Sequence, residues 1–147
     1  MPRFVGTIRS PKPRDEVFAY LADFSSVEDW DPTVTSARRL DGGPVQRGSR
    51  FEVVIRTLGR ETPYLYEIVE LRRPELVRLR AETGSVISLD TITFSGGPAG
   101  TEVTYDAELT LKGAMRLLAL PMRRGFERLA RNAKAGLERE LDAGAGG

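Results

Sequence analysis

The stretch Gly113–Leu141, GAMRLLALPMRRGFERLARNAKAGLEREL, constrains the fold more than any other part of the chain. At about 100° per residue, one face gathers Met115, Leu118, Met122, Phe126, Leu129, Ala133 and Leu137. The opposite face gathers Arg124, Glu127, Arg131, Lys134 and Glu138. No other segment is long and strongly helical by pattern, so this amphipathic helix must cover whatever precedes it. Its apolar stripe and edges also carry Gly125, Ala130, Ala133 and Gly136. A glycine costs a helix interior about 1 kcal/mol relative to alanine. Small residues there either let the helix approach a sheet closely or leave room for a ligand, and the second reading fits the strands described below. Pro121 is expected to separate a short segment, Ala114–Leu120, from the main helix, because an interior proline loses a hydrogen bond. That segment would gate one end.

What precedes the helix reads as strands. Phe4–Ile8 is a short strand, broken by Ser10-Pro11-Lys12-Pro13. Asp15–Leu21 has Val17, Phe18 and Leu21 at helical spacing, with acids in its first turn. Ser26, three residues before Asp29, is expected to cap a second short helical turn reaching Trp30. Asp31-Pro32 stops it. Strands follow at Val34–Leu40, Phe51–Arg56, Tyr64–Leu71, Leu76–Thr83, Val86–Ser95 and Thr101–Leu111. The last alternates most cleanly: Val103, Tyr105, Ala107, Leu109 and Leu111 on one side, Glu102, Thr104, Asp106, Glu108 and Thr110 on the other. Short turns between strands predict an antiparallel meander without crossover helices. The expected class is therefore α+β: one curved sheet of about seven strands under one long helix, with two short helices after the first strand. One domain over 1–142 and a flexible tail at 143–147 are expected.

The sequence contains neither cysteine nor histidine. Thiolate nucleophiles, disulfides and every His-containing triad are thereby excluded, and carboxylates, tyrosines, lysines, arginines and hydroxyls must do any chemistry. Scattered acids show no metal-ligand spacing, and no glycine-rich loop meets a helix N-terminus, so neither metal nor cofactor is expected. A formal net charge of +1 and the lack of aromatics among the helix cations argue against nucleic acid. The N-terminus shows no apolar signal segment, and no apolar run approaches the roughly 20 residues that span a bilayer, so a cytoplasmic location is expected. Arg116, Arg123, Arg124, Arg128, Arg131 and Lys134 outnumber Glu127. They make either an ordinary solvated face or one that touches acidic lipid or an acidic partner. The oligomeric state is open.

The element order and several marks resemble the START-like, SRPBCC helix-grip superfamily, also typified by Bet v 1, and within it the bacterial polyketide cyclase/dehydrase-like branch. The marks are Glu16–Phe24, Trp30-Asp31-Pro32, Gly48–Glu52, Tyr66–Glu70, Thr91–Phe94, Gly100–Tyr105 and a terminal helix interrupted by Pro121. The resemblance implies a long helix gripping a bent sheet around an elongated cavity that takes an apolar ligand: a polyketide-like aromatic, a lipid or an isoprenoid. It also implies a second possibility, a cyclase or dehydratase acting on such a molecule, and it places Trp30 beside the cavity entrance.

Asp90 is the first candidate for chemistry. If Ile92 and Phe94 face inward, strand parity puts Asp90 and Ser88 on the same side. Burial disfavours the charged carboxylate and raises its pKa, as a general acid or base requires. A shifted register facing Ile87 and Leu89 inward would instead leave Asp90 in solvent, and an inward Asp90 bonded to a tyrosine or arginine could be purely structural. Tyr105 would orient a ligand carbonyl or partner Asp90, or serve as a core aromatic. Tyr66 is better placed than Tyr64 to line a cavity. Trp30 is either a binding residue or simple packing of the short helices. Ligand contacts are expected from Trp30, Phe51, Val53, Tyr66, Phe94, Val103, Ala107, Leu109, Met122, Phe126, Leu129 and Ala133.

Overall fold

The computed structural model describes residues 3–57, 59–97, 99–113, 117 and 119–143, the side chains of 119–124 and 143 excepted. The expectations for Met115, Leu118, Met122, Arg116, Arg123, Arg124, the gating role of Ala114–Leu120 and the tail beyond Ala143 lie outside the described residues.

Strand β1 (Arg3–Ser10) leads into helix α1 (Arg14–Ala22), a 3-10 turn (Phe24–Ser26) and the single-turn helix α2 (Val27–Trp30). Six strands follow: β2 (Val34–Arg39), β3 (Arg50–Thr57), β4 (Arg60–Arg72), β5 (Leu76–Glu82), β6 (Val86–Gly97) and β7 (Gly100–Leu111), and then helix α3 (Ala119–Ala143). All seven strands form one antiparallel sheet in the order β1-β7-β6-β5-β4-β3-β2. β2 to β7 are therefore a meander, and β1 joins it beside β7. The consecutive strands β1 and β2 occupy opposite edges, so the short helices between them bridge the two edges of a curled sheet. Register shifts at Val34/Ser36 and at Ile68/Glu70 bend β2 and β4, since a bulge inserts a residue and increases local twist.

Alternation separates the two faces of the sheet. Ile8, Phe51, Val53, Ile68, Val77, Leu79, Ile92, Phe94 and Val103 are buried on the concave side. The convex side carries cross-strand ion pairs, among them Arg38–Glu52, Arg50–Glu67, Arg78–Glu70 and Lys112–Glu82. Exposed pairs of this kind are worth about 0–1 kcal/mol each; they keep the outer face wet and oppose a slip of register. The short helices press aromatics onto the concave side: Phe18 meets Phe94 edge-on at 5.1 Å, and Phe24 meets Tyr66 at 5.0 Å.

Two local expectations change. Ser26 stands just before α2, yet its side chain caps nothing; the 3-10 turn runs straight into α2, leaving Ser26 helical and its Oγ buried without a partner among the described residues. The capping acid is Asp23, whose Oδ1 accepts from the Ser25 amide at 3.2 Å and the Ser25 hydroxyl at 2.6 Å. Pro121 lies in the first turn of α3 rather than ahead of it, where its missing N–H costs no helical hydrogen bond.

The small residues of α3 also depart from expectation. Gly136 is buried, and a Cβ there would lie 1.9 Å from the Trp30 carbonyl oxygen. It is a close-approach contact between α3 and α2, not the floor of a cavity. Gly125 is exposed with open space around it. α3 is seated through its C-terminal half, where Leu137 and Leu141 are buried and the helix packs on β1 and α2.

Candidate functional site

Strand register assembles a polar row inside the apolar concave face. Ala81 of β5 stands opposite Tyr66 on β4 and opposite Ser88 on β6. Because Ala81 ends at Cβ, the Tyr66 side chain reaches over it, and its hydroxyl lies 2.8 Å from Ser88 Oγ. Ser88 donates on to Asp90 Oδ1 at 3.3 Å. One strand further, Asp90 faces Ala107, and the Tyr105 hydroxyl donates to Asp90 Oδ2 at 2.5 Å. The result is a continuous chain, Tyr66–Ser88–Asp90–Tyr105, crossing four strands. Alanines flank its two central members.

Asp90 is 7% exposed, with Ile92 and Phe94 buried on the same face; the parity that puts Asp90 inside is the one observed. Desolvation pushes its carboxyl up to about 6, against the opposing pull of the Tyr105 and Ser88 hydrogen bonds. Burial likewise holds the Tyr66 and Tyr105 phenols well above the ordinary tyrosine value, and the charge of Asp90 adds to this. Among the described residues no lysine or arginine pairs with Asp90. Such a group takes or gives a proton near neutral pH, which is what general acid–base work asks of a carboxyl.

Trp30 is 5% exposed, and its indole meets the Tyr105 ring edge-on at 5.7 Å. It packs α2 onto the sheet, and it does so against a member of the polar chain. Its Nε1–H is buried without an acceptor among the described residues. Asp31, next in the chain, was not singled out by its residue type. Its Oδ1 accepts from the Thr33 amide at 2.9 Å and the Thr33 hydroxyl at 2.8 Å. Burial raises its pKa, and its charge acts on Asp90, Tyr66 and Tyr105 alike. An acid directly after the lone tryptophan was the available signal, but only the fold decides the surroundings of its half-buried carboxyl.

Phe51, Val53, Tyr66, Phe94 and Val103 are buried in the core, while Ala107, Leu109, Phe126 and Ala133 are half-buried. Tyr64 stacks on Tyr66 at 6.4 Å and is half-buried, so Tyr66 is the more inward of the two. Leu129 is a correction: it is 38% exposed. Eight residues before Leu137 it is rotated by about 80° from that anchor, whereas Phe126 is nearly aligned with it. Two clefts of about 430 and 300 Å³ lie elsewhere, beside Tyr20, Asp23 and Glu28 and at the β6–β7 hairpin beside Arg9 and Thr101. The side chains of 119–124, on the first turns of α3, are outside the described residues. Among the described residues, no group of three acids could hold a metal ion, and no helix is long and apolar enough to cross a membrane.

A curled seven-stranded antiparallel sheet closed by a C-terminal helix, with short helices after the first strand, defines a START-like helix-grip protein. Solved structures share this fold across nearly the whole chain. TTHA0849 from Thermus thermophilus matches at a TM-score of 0.77 with 18% identity, covering 95% of this chain and 97% of that one. The aromatase/cyclase Zhui from Streptomyces sp. R1128 matches at 0.74 with 14% identity, over 95% and 90%. A START superfamily protein from Mycobacterium smegmatis matches at 0.72 with 11% identity, over 95% and 96%. The chain belongs to the polyketide cyclase / dehydrase and lipid transport family, whose profile matches residues 1–142. No curated protein matches by sequence.

Proposed function

We propose that the protein binds a hydrophobic small molecule between its concave sheet and α3: a polyketide-like aromatic, a lipid or an isoprenoid. The observation that carries this is the buried chain Tyr66–Ser88–Asp90–Tyr105. A carboxylate buried in an apolar face without a counter-charge costs stability, and pockets for small molecules are apolar walls with a few convergent polar groups. Family membership supports the same reading. Native mass spectrometry of the purified protein tests it. An apolar molecule should co-purify and leave on denaturation; a protein that neither carries one nor takes up apolar probes would refute it.

One observation favours a second reading, cyclisation or dehydration of the bound molecule. Burial pushes the Asp90 carboxyl up to about 6. As carboxylate it would accept a proton from a carbon next to a ketone, and the resulting carbanion would attack a second carbonyl within the folded ligand. As acid it would return that proton to the alkoxide so formed; taking the remaining proton of the same carbon and delivering it to the new hydroxyl would then release water. Tyr105 would hold the carboxyl in place, and the shape of the site would supply the reactive conformer. Asp90→Asn should then abolish turnover while binding survives. An unchanged ligand mass and absorption spectrum after incubation with the wild type leave the binding function alone.

A further inference from the structure

The polar end of the site is unevenly equipped. The indole N–H of Trp30 is a donor buried without an acceptor among the described residues, although buried donors are paired almost without exception. Asp31 Oδ1 is taken by Thr33, and no hydrogen bond from the described residues reaches Oδ2. Asp90 accepts from the hydroxyl of Tyr105, the ring against which Trp30 packs. One unused donor thus belongs to a cluster with two carboxyls, Trp30 adjoining Asp31 in the chain and packing on the tyrosine that bonds Asp90, with no cation among the described residues paired to either.

This arrangement discriminates among the ligands allowed above, and it rests on that binding reading. We propose that Trp30, Asp31 and Asp90 select an uncharged, oxygen-bearing apolar molecule. The indole N–H donates to a ketone or phenol oxygen, and the paired carboxyls exclude molecules that end in a carboxylate. A neutral oxygen satisfies the orphan donor, and a ligand hydroxyl would also donate to Asp31 Oδ2, which no described residue bonds. A fatty-acid-like anion would bring a third negative charge beside two carboxyls with which no described cation pairs, and like charges in apolar surroundings repel strongly. Asp31 is then the specificity residue, and Trp30 the one that reads the oxygen.

Three probes of nearly equal size test this by equilibrium dialysis at pH 7.5: naphthalene, 2-acetylnaphthalene and 2-naphthoate. The ketone should bind the wild-type protein at least about tenfold more tightly than the carboxylate. Asp31→Asn keeps the oxygen that Thr33 requires and removes the charge; it should raise naphthoate affinity several-fold relative to that of the ketone. Trp30→Phe keeps a ring and removes the N–H, so the ketone should fall to the level of naphthalene. Equal binding of ketone and carboxylate by the wild type, or an Asp31→Asn variant with an unchanged ratio, overturns the proposal while the binding function stands. If naphthalene itself fails to bind, both fall together. Should Trp30→Phe not fold, the wild-type comparison and Asp31→Asn decide the matter.

Discussion

The Tyr105 hydroxyl donates to Asp90 Oδ2 at 2.5 Å across the β6–β7 pair, and desolvation outweighs that bond to hold the carboxyl at about 6. A carboxyl raised above its unfolded value of 3.8 contributes its full share to folding while protonated, below about pH 3.8. That share is lost as pH rises through 6. The difference of about two units corresponds to about 3 kcal/mol. Urea unfolding at pH 4.5 and 7.5 should therefore find Asp90→Asn more stable than wild type at the higher pH, by up to about 3 kcal/mol. The gap should narrow at the lower pH. A smaller slope of the same sign should remain from Asp31, whose carboxyl is raised too. An identical pH profile in wild type and variant would contradict the buried position of Asp90.

Two glycines of one helix should respond in opposite directions. At Gly125 no atom of the described residues lies within 4 Å of an added methyl group, so Gly125→Ala gains helix propensity and should stabilise by about 0.5–1 kcal/mol. At Gly136 the same methyl would lie 1.9 Å from the Trp30 carbonyl oxygen, a backbone atom that cannot swing away. Gly136→Ala should destabilise by about 2 kcal/mol or more despite the better propensity, because α3 must lift from α2. Thermal unfolding of the two variants measures both signs.

Ala81 is the spacer that lets Tyr66 reach Ser88. Ala81→Leu should cost about 1–3 kcal/mol through overpacking and about 1 kcal/mol more by breaking the tyrosine–serine bond. Tyr66→Phe breaks the same bond without adding volume and should cost about 1 kcal/mol. Comparable losses in chemical denaturation would mean that Ala81 is not needed as a spacer.

Ala133 is half-buried against the core, on the helix face aligned with Phe126. Ala133→Phe should weaken uptake of an apolar fluorescent probe by about tenfold or more while the far-ultraviolet dichroism is unchanged. Undiminished uptake would show that this part of α3 does not border the ligand.

How far the site was legible depends on the kind of information each residue needed. Asp90 was found because strand parity is local: Ile92 and Phe94 fix the face, and a residue two or four positions away must share it. Tyr105 followed from the same alternation on β7. Their hydrogen bond needed the register between β6 and β7, which no single strand contains. Asp31 was missed because nothing in a Trp-Asp-Pro turn says which way its carboxyl faces once β1 and β2 lie at opposite edges of the sheet. Ser26 misled for a related reason: its residue type suits a cap, but the preceding 3-10 turn had already placed it inside a helical run.

The helix divides these two kinds of knowledge most sharply. Its period, its apolar stripe and its place over an antiparallel meander are short-range properties, written in residues three and four apart, and the sequence by itself determined them. Whether each small residue on it meant contact or room was decided only when α3 settled onto α2 and β1. There Gly136 met the Trp30 carbonyl, Gly125 stayed in the open and Leu129 turned towards solvent. A helix period assigns residues to a face, but the rotation of that face and its depth come from packing against elements a hundred residues away in the chain.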